Sequence, residues 1–190
     1  CGKTTLLRSI AGLGSIDNGK IMLDAEDITH KNPGDRNIGM IFQSYCLFPT
    51  MNVFNNVAYG LKLKKEPESK IKNEVMSALE SVNLLEKVKS YPSQLSGGER
   101  QRVALARSLV MKTKVLLLDE PFNAIDAKLR KALQLKVKEL HKEYDMTSIM
   151  VTHDQDEAMI MSDTIHLFKD GVIEQSGTSA ELYLTPKSKY

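Results

Sequence analysis

The stretch VLLLDEP, residues 115–121, decides the fold. Its four apolar residues, Val115 to Leu118, are too short a run for an ordinary helix and lack the alternation of a half-exposed strand. They predict a strand buried on both faces. Two carboxylates, Asp119 and Glu120, follow at once. At the carboxyl end of a buried strand they lie on the edge where open α/β sheets bind ligands. Adjacent carboxylates at such a place are costly without a cation, so the pair points to a charged ligand rather than to an acidic helix cap.

Outward from this strand the order is regular. A helix is predicted over Glu99 to Val110 before it, and after it a helix Ala127 to Tyr144, a strand Ser148 to Thr152 and a helix Gln155 to Met161. Buried strands alternating with helices predict a parallel α/β sheet. Thr164 to Phe168 and Val172 to Gln175, joined through Lys169-Asp170-Gly171, predict a closing antiparallel hairpin. Upstream, a helix over Thr4 to Ala11 with Leu6, Leu7 and Ile10 on its apolar face is closed by Gly12. The turn Asp17-Asn18-Gly19 then leads into a strand-like Lys20 to Leu23. Ile38 to Phe42 predicts a short strand ending at Gln43. Glu66 to Lys89 is helical and charged, with Ile71, Val75, Leu79 and Val82 as its apolar face, and Pro92 ends it.

The 190 residues are 42% hydrophobic and 26% charged, ordinary for a globular chain able to bury a core. A net charge of +2 lacks the basic excess of a nucleic-acid-binding domain, and no nucleic-acid partner is expected. No apolar run nears the ~18 residues of a spanning helix, so any membrane link comes through a partner. Two cysteines, Cys1 and Cys46, without C-x-x-C spacing argue against a disulfide framework and a structural zinc, and fit a reducing, cytosolic setting.

The chain opens with CGKTTLLRSIAGL, residues 1–13. Gly2, Lys3 and Thr4 match the last fixed positions of the phosphate loop G-x-x-x-x-G-K-[ST], whose first glycine and preceding strand are expected upstream of Cys1. A lipid-bearing or nucleophilic N-terminal cysteine is the competing reading, but Gly-Lys-Thr-Thr leads directly into a helix without a spacer. At a helix start, amides and the dipole attract phosphate, and the Lys3 ammonium reaches the β and γ oxygens. The Thr4 hydroxyl suits Mg²⁺ and Thr5 the α-phosphate. With such a loop, Asp119 can hold Mg²⁺ through water, and Glu120 can polarise the water that attacks the γ-phosphate.

QLSGGERQRVALARSL, residues 94–109, adds a third element. Ser96-x-x-Glu99 is a capping box, so Ser96, Gly97 and Gly98 form a second anion site at a helix start. The whole string is the residue pattern of the ATP-binding cassette signature, and the chain resembles the nucleotide-binding subunit of an ABC transporter. The resemblance implies a P-loop NTPase of mostly parallel α/β fold with a helical signature subdomain over about 66–110, and it covers essentially residues 1–190. It implies ATP and Mg²⁺ as cofactors and ATP hydrolysis as the activity. Gly2, Lys3, Thr4 and Thr5 hold the triphosphate, and Thr4, Gln43 and Asp119 attend the metal. Glu120 and His153 are catalytic, and Asp126 is the inter-subunit aspartate.

The same resemblance implies two half-sites on one domain: Ser96 to Gly98 reach only the γ-phosphate of an ATP held by another copy, so a homodimer or a second ATP-binding subunit completes each site. FQSYCLFPTMNVFNNVAYGL, residues 42–61, and VTHDQDEAMIMSD, residues 151–163, look like the importer branch serving polyamines, ferric iron, phosphonates and some sugars. That branch implies transmembrane permease subunits docking around Gln43, Tyr45, Phe48 and Pro49, an extracytoplasmic solute-binding protein indirectly, and a peripheral place on the cytoplasmic side of the plasma membrane. Departures are the missing half of the phosphate loop, which implies weakened ATP binding by residues 1–190 alone, and Asn123-Ala-Ile-Asp126 where Ser-Ala-Leu-Asp is commoner. Many importer ATPases that the chain resembles continue past a hairpin such as residues 171–186 into a regulatory β-rich domain, which residues 1–190 do not include. The alternative is a soluble ribosome- or DNA-associated ABC ATPase. Only a compact helical stretch separates Gln43 from Gln94, which disfavours the coiled-coil insertion of the DNA-associated kind.

Overall fold

The buried run at 115–118 is the middle strand of its sheet. In the computed structural model, which describes residues 2–187, the first half of the chain contains α1 (Lys3–Ala11), β1 (Met22–Leu23), β2 (Glu26–Asp27), β3 (Ile38–Ile41), α2 (Val53–Leu63) and α3 (Glu68–Ser81). The second half continues with α4 (Gly97–Leu109), β4 (Val115–Asp119), α5 (Ala127–Glu143), β5 (Thr147–Val151), α6 (Gln155–Met161), β6 (Ile165–Lys169), β7 (Val172–Gly177) and α7 (Ser179–Leu184). The chain divides into two compact units, Cys1–Arg36 with Met150–Tyr190, and Asn37–Ile149.

In the second unit every residue of β4 is buried, and β3 pairs with it in parallel from Ile38↔Val115 to Ile41↔Leu118. The sheet order is β3-β4-β5. Leu116, Leu117 and Leu118 are each at most 1% exposed, a gain of about 1.5–3 kcal/mol per side chain over leaving it in water. Helix α4 packs on β3, and Ser108 Oγ donates to Met40 O at 3.3 Å. Helices α2, α3 and α4 pack on one another. The face predicted for α3 is the one buried: Ile71, Val75 and Leu79, with Val82 following.

Several boundaries move. The charged helix stops at Ser81 instead of reaching Lys89, because Asn83 adopts φ 54°, in the left-handed region, and a single 3₁₀ turn, Leu85–Lys87, follows. Helix α2 is an element the periodicity reading omits. Asn52 caps it by accepting from the Asn55 N–H, and Val53, Val57, Ala58 and Leu61 form its buried face. The strand expected at Lys20 to Leu23 shrinks to Met22–Leu23, paired antiparallel with Glu26–Asp27.

In the first unit α1 buries Leu7, while Leu6, expected beside it, is 43% exposed. Gly12 ends α1 at φ 81°. The predicted hairpin forms with Lys169 opposite Val172. Its loop residues Asp170 (φ 47°) and Gly171 (φ 84°) both take the positive φ of a type I′ turn. Helix α7, opened by a Thr178-x-x-Glu181 capping box, is a further element that the sequence reading omits. Cys1 lies outside the described residues. Among them, no helix is long and apolar enough to cross a membrane.

Candidate functional site

In the first unit the site residues sit on α1 and on the turn after β5. Gly2 caps α1 at φ 94°, and its carbonyl accepts from the Leu6 N–H at 3.0 Å. Helices α2, α4, α5, α6 and α7 each begin with a side chain accepting from an amide of the first turn. Helix α1 has no such side-chain cap and no acidic residue in its first turn. Lys3, Thr4 and Thr5 stand in its first turn, at the positive end of the helix dipole.

The other end of α1 is anchored by a residue that sequence reasoning missed. Arg36 is 4% exposed. Its guanidinium donates to four carbonyls: Ser9 O (3.0 Å), Ile10 O (2.8 Å), Thr29 O (2.8 Å) and Lys31 O (3.0 Å). Two of these belong to the last turn of α1, where a cation complements the helix dipole.

His153 is exposed on a braced turn. Thr152 Oγ1 accepts from the Asp154 N–H at 3.0 Å and donates to Glu157 Oε2 at 2.8 Å. Asp154 caps α6 by accepting from the Glu157 N–H at 3.1 Å, and Glu157 itself is 1% exposed. The residues on both sides of the histidine are thus fixed.

In the second unit Asp119 is 4% exposed at the end of β4. Glu120 follows at φ 50°, in the left-handed region, so the chain turns sharply there. Two amides meet its carboxylate: Gln43 Nε2 at 2.9 Å and Asn123 Nδ2 at 2.5 Å both donate to Glu120 Oε2. Gln43 arrives from just beyond β3, the strand paired with β4. Gln101 of α4, 2% exposed, spans the turn by donating to Glu120 O at 3.1 Å and accepting from the Ala124 N–H at 2.9 Å.

The predicted capping box exists at the start of α4. Ser96 Oγ accepts from the Glu99 N–H at 3.2 Å, and Glu99 Oε2 accepts from the Ser96 N–H at 2.8 Å. That backbone hydrogen bond holds the Glu99 carboxyl below its ordinary value of 4.5, burial opposing. Ser96 is exposed. A Cβ at Gly98 would lie 2.8 Å from Ala124 O, so only glycine lets α4 approach the 120–124 turn this closely. Asp126 caps α5, accepting from the Leu129 N–H at 3.0 Å.

Within the second unit Gln43, Asn123 and Gln101 all hydrogen-bond Glu120; Asp119 precedes it at the end of β4, and Ser96 to Gly98 begin the helix that carries Gln101. Gly2, Lys3, Thr4, Thr5 and His153 lie in the first unit. The loop after Gln43 is also built. Tyr45 (φ 62°) and Cys46 (φ 45°) are both left-handed, and their carbonyls accept from the Arg107 guanidinium at 3.0 and 2.7 Å. Arg107 also lies 5.6 Å from the Phe48 ring centroid. Fully buried Asn56 accepts from the Phe48 N–H and donates to Phe48 O, Met51 O and Asn52 O.

Residues 1–123 match the family model described as ABC transporter. The chain is 50% identical over 190 residues to the spermidine/putrescine import ATP-binding protein PotA of Vibrio parahaemolyticus and 52% identical to that of Escherichia coli strain K12. Each match takes in 100% of this chain and 50% of the relative, so the chain spans about half the length of these curated relatives. Among solved structures it is similar to the dimeric, post-hydrolysis ATP-binding cassette MJ0796 bound to ADP and Pi. There the TM-score is 0.87 at 29% identity, covering 94% of this chain and 81% of that one. A second structure, a dimer of MJ0796 described as a bacterial ABC transporter cassette, matches equally. With the family model covering residues 1–123, the chain belongs to the ABC transporter family.

Proposed function

We propose that this chain is the ATP-hydrolysing part of an importer's energy-coupling subunit, and that the solute is a polyamine. The observation that carries this reading is the Glu120 network, a carboxylate at a buried strand end oriented by two amides and tied through Gln101 to the signature helix. Support for the cargo is the 50% and 52% identity to proteins named for spermidine and putrescine import.

The roles follow from chemistry. Gly2, Lys3, Thr4 and Thr5 bind the triphosphate through uncapped helix amides, an ammonium and hydroxyls. Thr4, Gln43 and Asp119 would hold Mg²⁺. Their oxygens are the hard donors magnesium prefers, and Asp119, buried at a strand end, suits a site closed by phosphate oxygens and water. When bound, the ion supplies neutralisation of phosphate charge.

Glu120 accepts the proton of the attacking water, and His153, on its braced turn, interacts with the γ-phosphate. Ser96, Gly97 and Gly98 donate to the γ-phosphate of an ATP held by a second copy or a second ATP-binding subunit, with Asp126 at that interface. Closure of the pair is passed to transmembrane permease subunits through the loop around Gln43, Tyr45, Phe48 and Pro49, and a solute-binding protein delivers cargo from outside. The subunit accordingly works on the cytoplasmic side of the plasma membrane.

The test is ATPase activity of the full-length protein with Glu120→Gln and Lys3→Ala. We expect Glu120→Gln to lower kcat by a factor of about 10² or more while ATP is still bound, as removal of a general base does. Lys3→Ala is expected to weaken ATP binding instead. Wild-type turnover by Glu120→Gln would refute the assignment.

A further inference from the structure

The resemblance gives Asn123 no role, yet its side chain donates a hydrogen bond to the candidate base. We infer that Asn123 is a positioning residue for hydrolysis, acting through Glu120; the inference rests on the reading of Glu120 given above. Glu120 turns the chain at φ 50°, and three residues later Asn123 Nδ2 returns to donate to Glu120 Oε2 at 2.5 Å. The same oxygen accepts from Gln43 Nε2 at 2.9 Å.

The last torsion of a glutamate is broad and nearly two-fold, so an unrestrained carboxylate exchanges its two oxygens freely. Two N–H donors converging on one oxygen remove that freedom. They fix which oxygen is engaged by the protein and hold the plane of the group before a water arrives. The two donors come from different elements, the segment after β3 and the turn before α5. The turn carrying Asn123 is itself held, since Gln101 bonds the backbone at Glu120 and Ala124, on either side of it. Asn123 is exposed, so changing it removes no core side chain.

The substitutions are Asn123→Ala, which deletes the donor, and Asn123→Asp, which keeps shape and volume but sets a carboxylate against Glu120. In the full-length protein we expect Asn123→Ala to lower kcat about tenfold with the KM for ATP within about twofold, the signature of lost orientation rather than lost binding. Asn123→Asp should be slower still, because like charges push Glu120 off the anchored position. A role in shaping the turn alone predicts the reverse order, since aspartate is the closer replacement.

A double-mutant cycle completes the test: in a Glu120→Gln background, Asn123→Ala should slow the residual reaction no further. Asn123→Asp turning over like wild type, or Asn123→Ala costing the same factor in both backgrounds, would overturn the inference while leaving Glu120 as the base. Unimpaired Glu120→Gln would instead overturn the reading on which the inference stands.

Discussion

Replacing Arg36 by lysine keeps the charge and should still damage the protein. The site holds a guanidinium at 4% exposure with four backbone carbonyls fanned around it and, among the described residues, no carboxylate within ion-pair distance. A hydrogen bond from a charged donor contributes about 1.5–3 kcal/mol net. Lysine offers three donors from a single point and cannot reproduce the planar fork, so at least one of the four bonds is lost and the others bend. That gives a loss of about 2–4 kcal/mol for Arg36→Lys. Arg36→Met, which leaves all four carbonyls to find water in a buried place, should cost about 4–5 kcal/mol, at the high end for a single substitution. The pocket cannot relax freely, because a Cβ on Gly12 would already lie 2.6 Å from Arg36 Nε. Urea unfolding followed by circular dichroism gives both values. A second consequence is functional: loosening Ser9 O and Ile10 O frees the helix that begins with Lys3, so the KM for ATP should rise in Arg36→Lys more than kcat falls. A stability change below about 0.5 kcal/mol for the lysine variant would refute the reasoning, since surface substitutions give as much.

Two further outcomes are expected. Gln101→Met deletes both bonds that span the 120–124 turn; at about 1 kcal/mol net per bond it should lower stability by about 2 kcal/mol. Gln101→Glu should cost more, because it buries a carboxylate against the Glu120 carbonyl; urea midpoints of the two variants give the order. For pH, the Glu99 carboxyl is held below its ordinary 4.5 by the Ser96 backbone hydrogen bond. A depressed folded value means its contribution is complete above the unfolded value and disappears as pH falls through the folded one. Protection of the Ser96 amide from exchange, relative to its unstructured rate at each pH and followed by NMR from pH 6 downward, should therefore hold to about 4.5 and fall below it.

Much of the candidate site is local and was legible as such. Ser96-x-x-Glu99 predicts its own capping box because the interacting groups are three residues apart, and the box is there. Val115 to Leu118 predict a buried strand from apolarity alone, and every residue of β4 is buried. Asp170-Gly171 predicts its turn because few other pairs accept two positive φ angles. Helix α2 had a legible signal in Val53, Val57, Ala58 and Leu61, obscured by the run Asn52, Asn55, Asn56 and Gly60, residues that ordinarily mark loops.

The chain's residues by themselves determined the alternation of helices and strands around 97–161, the capping box that opens α4 and the strand end that carries Asp119 and Glu120. Each of these depends on a few neighbouring side chains and on backbone periodicity. Tertiary structure alone decided what Arg36, Gln101, Asn123 and Asn56 do. Arg36 meets Ser9 27 residues away, Gln101 meets Ala124 23 residues away, and both act mainly on backbone carbonyls and amides, which every residue carries. A partner common to all residues leaves no mark in a sequence, so these contacts exist only once folding has brought the segments together.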